Sequence, residues 1–186
     1  MKRLFDLILS MLLILILILP MFILAALIKL NSKGPALYWS ERVGKNNVLF
    51  KMPKFRSMHQ NTNAIASHLM NNPERFLTSI GRFIRQTSLD ELPQLYSVLK
   101  GDMSFVGPRP ALFNQHDLIS LRLKKGVDKL IPGITGWAQI NGRDELSINE
   151  KVILDIKYLN NQSFWLDVKI LWKTLLRVFN GDGVSH

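Results

Sequence analysis

LILSMLLILILILPMFILAALI, residues 7–28, is the stretch that decides the architecture of this 186-residue chain. Ser10 is its one polar residue and Pro20 its one helix breaker. At 1.5 Å per residue, a helix over residues 7–30 would be about 36 Å long, against a hydrocarbon core of about 30 Å. The run outlasts the apolar core of a secretory signal, and Lys29, Asn31 and Lys33 follow it in place of a small-residue cleavage site. It therefore reads as a retained membrane element. No other segment is apolar for so long, which excludes a polytopic transporter.

Two features bear on how this element meets the bilayer. Pro20 removes a backbone hydrogen bond and crowds the preceding turn, so a kink or break is expected there. Lys2 and Arg3 precede the run while Lys29, Lys33, Arg42 and Lys45 follow it, so both flanks look cytoplasmic by the positive-inside rule. A helix that enters, bends at Pro20 and leaves by the same face satisfies both features. An ordinary spanning helix with an internal proline remains open at this level.

Residues 32–186 suffice for one domain. A hydrophobic content of 47% with only 20% charged residues is wrong for a disordered basic tail. The absence of cysteine excludes disulfides, zinc ribbons, thiol nucleophiles and iron–sulfur clusters. Between Lys29 and Arg85 stand ten basic and two acidic residues, carrying +8 of the chain's +10. Such a patch fits anionic headgroups, and it fits equally well a phosphate-bearing substrate.

Pattern and turn chemistry outline the domain. Pro35 to Phe50, around Gly44-Lys-Asn-Asn, predicts a β-hairpin. Thr78 or Ser79 caps a short helix through Arg85, with Arg82 and Arg85 on one face. Leu89, Leu92, Leu95, Tyr96 and Leu99 recur at helical spacing before Gly101. Gln115 to Lys129 reads as helical, and Trp137-Ala-Gln-Ile140 as a short strand between turn signals. From Ser163 an amphipathic helix carries Lys169, Lys173 and Arg177 on one stripe and Trp165, Trp172 and Phe179 on its apolar face, which suits core packing or a bilayer surface.

Walker A, G-x-G-x-x-G, H-E-x-x-H and G-x-S-x-G signatures are all absent. His59, His68, His116 and His186 lack metal-ligand spacing and read as structural or exposed. Ser88-Leu-Asp90-Glu91 at a helix start has two readings. One is a capping box, Ser followed three residues later by Glu. The other is a nucleophilic carboxylate beside free backbone N–H groups, a placement suited to phosphoryl transfer. Attack on an anionic diphosphate needs cations, and Arg85, Arg109 and Arg143 stand at turns or helix ends. Arg109, fixed between Pro108 and Pro110, presents a preorganised guanidinium that binds phosphate bidentately.

Taken together, these residues resemble the bacterial sugar transferase family, small monotopic phosphoglycosyl transferases that start glycan assembly on polyprenyl phosphate. The resemblance runs over Lys54-Phe-Arg-Ser-Met58, Ser88-Leu-Asp-Glu-Leu-Pro-Gln-Leu95, Leu99 to Pro110, Pro132-Gly-Ile-Thr-Gly-Trp-Ala-Gln-Ile-Asn-Gly-Arg143 and Leu166-Asp167. It implies a mainly helical α+β fold, with a re-entrant membrane hairpin over residues 1–31, broken at Pro20, and a catalytic domain with interfacial helices over residues 32–186. The domain would lie on the cytoplasmic face of the bacterial inner membrane, without the additional transmembrane helices of larger relatives. The implied reaction passes a sugar 1-phosphate from a UDP-sugar to polyprenyl (undecaprenyl) phosphate, releasing UMP through a covalent aspartyl phosphosugar. Asp90 would be the nucleophile and a Mg²⁺ ligand, and Glu91 its partner at the metal. Lys54, Arg85, Pro108, Arg109, Pro110, Gln139 and Arg143 would line the substrate site. Leu19 and Ile131 depart from the Ser and the basic residue that members often carry there. Membrane lipids and a homodimer are the other expected partners, and nucleic acid is not. The rival reading is a non-enzymatic basic adaptor on anionic lipid or nucleic acid.

Overall fold

A computed structural model describes residues 1–59, 73–142 and 145–180, with the side chains of Pro73, Glu74 and residues 178–180 left aside. The apolar run lies within α1, Lys2–Asn31. Among the described residues it is the one helix long and apolar enough to cross a membrane. Pro20 lies inside α1, and the helix continues on both sides of it, where a break into two arms was expected. A proline within a helix loses one N–H donor, and the many remaining bonds hold the rest.

α1 is not a free-standing rod. Asp6, Ser10, Leu24 and Ile28 are buried, and Leu13, Leu17 and Met21 pack beside them, a stripe at three- and four-residue spacing. Its other side, including Leu15, Leu19 and Phe22, is exposed. Polar bonds fasten the first turns: Arg3 donates to the carbonyls of Val98 and Leu99, and the Asp6 carboxylate accepts the Phe105 N–H at 3.2 Å. Lys2 pairs with Asp167 and donates to the Tyr158 hydroxyl. At the other end, buried Arg56 donates to the Ser32 and Lys33 carbonyls at 2.8 and 2.6 Å.

β1 (Leu37–Val43) and β2 (Leu49–Phe55) form the antiparallel hairpin, in register from Leu37↔Phe55 to Val43↔Leu49. It runs five residues beyond the expected end at Phe50, which brings Lys54 onto a strand. Alternation puts Tyr38, Ser40 and Arg42 on one face, with Lys54, Met52 and Phe50 opposite them. α2 (Ser79–Gln86) starts at Thr78, whose hydroxyl accepts the Gly81 N–H at 3.0 Å. The helix expected from Leu89 is instead a 3₁₀ helix, Leu89–Gln94, followed by α3, Leu95–Lys100. Pro93 lies inside the 3₁₀ segment, where an α-helix would have needed its N–H.

β3 (Ser104–Val106) pairs in parallel with β4 (Gly133–Thr135). The strand expected at Trp137–Ile140 is absent: that stretch turns into a 3₁₀ helix, Gln139–Asn141, and β4 precedes it. A Cβ on Gly133 would sit 2.1 Å from the Gly107 nitrogen, and one on Gly136 would sit 2.1 Å from the Gly107 oxygen. Only glycine permits that backbone approach. α4 (His116–Lys124), α5 (Ile148–Asn160) and α6 (Phe164–Asn180) follow, with short 3₁₀ turns at Lys45–Asn47, Pro73–Phe76 and Val127–Lys129. α5, unforeseen, opens with a full capping box between Ser147 and Glu150.

The main core joins Phe50 and Met52 of β2, Leu95 and Val98 of α3, Phe105 of β3 and Ile170 of α6. α6 turns Asp167 and Ile170 inward and leaves Trp165 and Trp172 outward, 78% and 60% exposed. Core packing of the two tryptophans is thereby excluded, and the Phe179 side chain lies outside the described residues.

Candidate active site

The link between α2 and the 3₁₀ helix passes through Ser88 in the left-handed region, φ 56°. That conformation is uncommon outside glycine and turns the chain sharply. The Ser88 side chain makes no cap bond, so the expected capping box is not formed. Glu91 N–H donates to the Ser88 backbone carbonyl, at 3.1 Å. The Glu91 carboxylate points elsewhere: its Oε1 accepts from Lys54 Nζ at 2.7 Å and from Arg109 Nη2 at 3.0 Å. With the cap absent, one of the two readings of Ser88–Glu91 loses its structural support.

Asp90 is 7% exposed, and its Oδ2 lies 3.8 Å from the same Lys54 Nζ. Burial pushes its carboxyl above the ordinary carboxylate range, against the pull of Lys54 and with the help of Glu91's negative charge. Arg85 and Arg109 are near enough to pull the other way. A buried carboxylate kept short of full solvation and ringed by cations is the environment of a working group rather than a surface cap.

Lys54, Asp90, Glu91 and Arg109 are therefore brought together from β2, the 3₁₀ helix and the loop after β3, with Arg85 in electrostatic reach. Pro108 and Pro110 flank Arg109 as the sequence requires. Close to the Gly107 backbone, two residues before Arg109, lies Gln139. A Cβ on Gly136 would lie 2.7 Å from its Oε1, and both atoms of its buried amide lack a partner among the described residues. Arg143 lies outside the described residues. His59 and His116 are exposed; His68 and His186 also lie outside the described residues.

Sequence reasoning missed Arg42. Burial first, then the neighbouring Arg109, lowers its guanidinium to about 10, while Glu91 opposes the drop. Strand alternation was the available signal, since Arg42 shares the hairpin face that carries Lys54. Arg122 and Asp155, which pair at 2.8 Å, were also missed. They are far apart in sequence, with no motif to join them.

No group of three or more His, Cys, Asp or Glu side chains able to hold a metal occurs among the described residues. Mg²⁺ does not require one, because one or two carboxylates, phosphate oxygens and water complete its six positions. Asp90 and Glu91 have the right chemistry for that role.

The chain matches the family of bacterial sugar transferases over residues 1–181. It is 43% identical to an undecaprenyl-phosphate glucose phosphotransferase of Komagataeibacter xylinus, over 95% of this chain and 35% of that protein. It is 39% identical to an undecaprenyl-phosphate galactose phosphotransferase of Salmonella typhimurium, over 98% of this chain and 41% of that protein. An uncharacterized sugar transferase of Bacillus subtilis, EpsL, is 40% identical over all of this chain and 90% of its own length. The chain thus spans well under half the length of the first two relatives.

Proposed function

The chain belongs to the bacterial sugar transferase family, and from that premise we propose that it moves a sugar 1-phosphate from a UDP-sugar to polyprenyl phosphate. The observation that carries this reading is Asp90, a buried carboxylate beside Glu91 with Lys54 and Arg109 converging on the pair.

An Asp90 oxygen attacks the sugar-bearing phosphorus of the donor. The new bond is acyl O–P, the bond broken joins that phosphorus to the bridging oxygen, and UMP departs with the electron pair. A phosphate oxygen of the polyprenyl acceptor then attacks the aspartyl phosphosugar, releasing the Asp90 carboxylate and yielding a polyprenyl diphosphate sugar. Lys54 and Arg109 counter the repulsion between a carboxylate and an anionic donor. Glu91 holds both cations in place. Mg²⁺ bound by Asp90 and Glu91 would neutralise charge on the donor's diphosphate. The adaptor alternative supplies no reason to bury a carboxylate among these cations.

The reading extends to the membrane. Arg3 and Asp6 at one end of α1, and Leu24 and Ile28 toward the other, all bind the same domain. A helix with both ends docked on one body cannot leave them on opposite faces of a bilayer, which supports a monotopic placement. The exposed side of α1 would enter the cytoplasmic leaflet, where one soluble and one lipid-borne substrate can meet at a single site.

The test is UMP release by purified protein in nanodiscs, with Mg²⁺, polyprenyl phosphate and a panel of UDP-sugars, beside Asp90→Ala. UMP from one donor, abolished by the substitution, is expected. Release at the wild-type rate from Asp90→Ala would sink the mechanism.

A further inference from the structure

We infer that Arg122, Asp155 and Arg42 are positioning residues that hold the loop carrying Arg109 against Glu91, an inference that rests on the phosphotransfer reading above. Four successive carbonyls of this loop each accept a bond from a different place. Pro108 O accepts the Gly133 N–H at 2.9 Å, and Ala111 O accepts the Val43 N–H at 2.9 Å. Between them, Arg109 O accepts from Arg122 Nη1 at 2.8 Å, and Pro110 O accepts from Arg42 Nη1 at 3.2 Å. The outer two donors are backbone and belong to the fold. The inner two are guanidiniums, and they grip the very residues whose placement aims Arg109.

Each guanidinium is itself held. Arg122 Nε and Nη2 donate to Asp155 Oδ2 at 3.0 and 2.8 Å, and Asp155, on α5, is 1% exposed. Arg42 Nε donates to Ser40 Oγ at 2.9 Å. The loop needs such grips because Pro108 and Pro110 offer no N–H of their own. Side-chain packing does not close over the loop on this side, where a partly open cleft is bordered by Val43, Pro108, Ala111 and Arg122.

The bland alternative is that Arg122 merely pins α4 to α5 through Asp155. That pairing uses Nε and Nη2, leaving Nη1 for Arg109 O. A lysine keeps a charge partner for Asp155 but lacks the fork that spans both acceptors. Arg122→Lys therefore separates the two roles.

The experiment places Arg122→Lys in the native and the Arg109→Ala backgrounds. It follows donor binding and transfer from radiolabelled donor to polyprenyl phosphate, thermal unfolding, and amide exchange over residues 109–112. A misplacement of a charged group by an ångström can lower rates by about a hundredfold, so a partial loosening is expected to lower kcat/KM by about tenfold. In the Arg109→Ala background the further loss should stay under about twofold, because a residue that acts only through Arg109 has nothing left to position. Exchange of the loop amides should speed up. Equal losses in both backgrounds would overturn the inference and leave only the α4–α5 pairing. Asp155→Asn, which keeps an acceptor for Arg122, repeats the test if Arg122→Lys fails to fold. Should the native protein transfer from no donor, the phosphotransfer reading falls. Loop exchange then judges the clamp by itself, and an unchanged rate overturns it.

Discussion

Replacing Glu91 by glutamine should weaken the fold and, in the same protein, make the nucleophile more acidic. Glu91 accepts two charge-assisted bonds, from Lys54 at 2.7 Å and Arg109 at 3.0 Å. Glutamine keeps an acceptor of the same shape but no charge. Lys54 and Arg109 remain charged donors to a glutamine, so what is lost is the ion-pair attraction, about 1 kcal/mol per contact. Arg109 is about a third exposed, which discounts its share, and about 2 kcal/mol is an upper figure for the pair. For a chain of this size that corresponds to a Tm lower by roughly 4–8 °C in detergent.

The effect on Asp90 runs the other way. Burial raises its carboxyl, Lys54 opposes, and the like charge of Glu91 adds to the rise. The substitution removes that like charge, and it frees Lys54, already 3.8 Å from Asp90 Oδ2, to serve Asp90 alone. Both changes favour the ionised carboxylate. A nucleophilic Asp90 loses activity as it is protonated, so the acid limb of the pH–rate profile should move to lower pH. The assay is single-turnover UMP release across pH at saturating Mg²⁺, so that weaker metal binding does not mask the shift. An acid limb that stays put or moves up, or a Tm equal to that of the native protein, would refute the shared role assigned to Glu91.

Two further substitutions probe separate parts of the argument. Asp90→Asn should abolish transfer and raise Tm near neutral pH in the presence of a chelator. A carboxyl raised by burial favours folding only while protonated and loses that contribution as pH climbs through its raised value, so the stability gain should shrink on acidification; a lower Tm at neutral pH would refute it. Gly81→Ala should unfold or severely destabilise the chain, by about 3 kcal/mol or more, because its Cβ would stand 1.9 Å from the Ser57 carbonyl oxygen. A near-native denaturation midpoint would show that α2 and the segment after β2 are not in backbone contact at Ser57.

What could be read from residues alone follows how local each signal is. α1, the hairpin, α2 and α6 announce themselves through length, alternation or periodicity within one window. β3 and β4 are three residues each and pair across more than twenty-five intervening positions, so nothing local marks them. Ser88 shows a local rule losing to tertiary chemistry: the sequence spells a capping box, but Glu91 has two cations to bind, and the backbone turns left-handed instead. The same signature at Ser147 and Glu150, where the Glu150 carboxylate binds back to Ser147, does form its box. Asp90, Glu91 and Arg109 stand out by helix-start and turn chemistry, Lys54 only by family resemblance, and the structure gives all four their mutual distances. Arg42 and Arg122 bond backbone carbonyls and Asp155 holds Arg122; strand alternation could mark Arg42, but no local pattern marks the other two.

The structure also bears on the basic excess after α1, which composition assigns equally to lipid headgroups and to a phosphate-bearing ligand. Three of those cations already have inward work: Arg56 closes the end of α1, Lys54 binds the carboxylate pair, and Arg42 grips the Pro110 carbonyl. Lys54, Arg85, Arg109 and Arg42 surround or adjoin Asp90 and Glu91, so four cations face two carboxylates and two positive charges stand in excess. A partly buried site with that imbalance favours an anion of about two charges, which is what a sugar nucleotide's diphosphate presents. The four cations come from β1, β2, α2 and the loop after β3, and Lys54 and Arg109 spend part of their charge on Glu91, so the surplus is held around Asp90 by the fold itself and is in place before a ligand arrives.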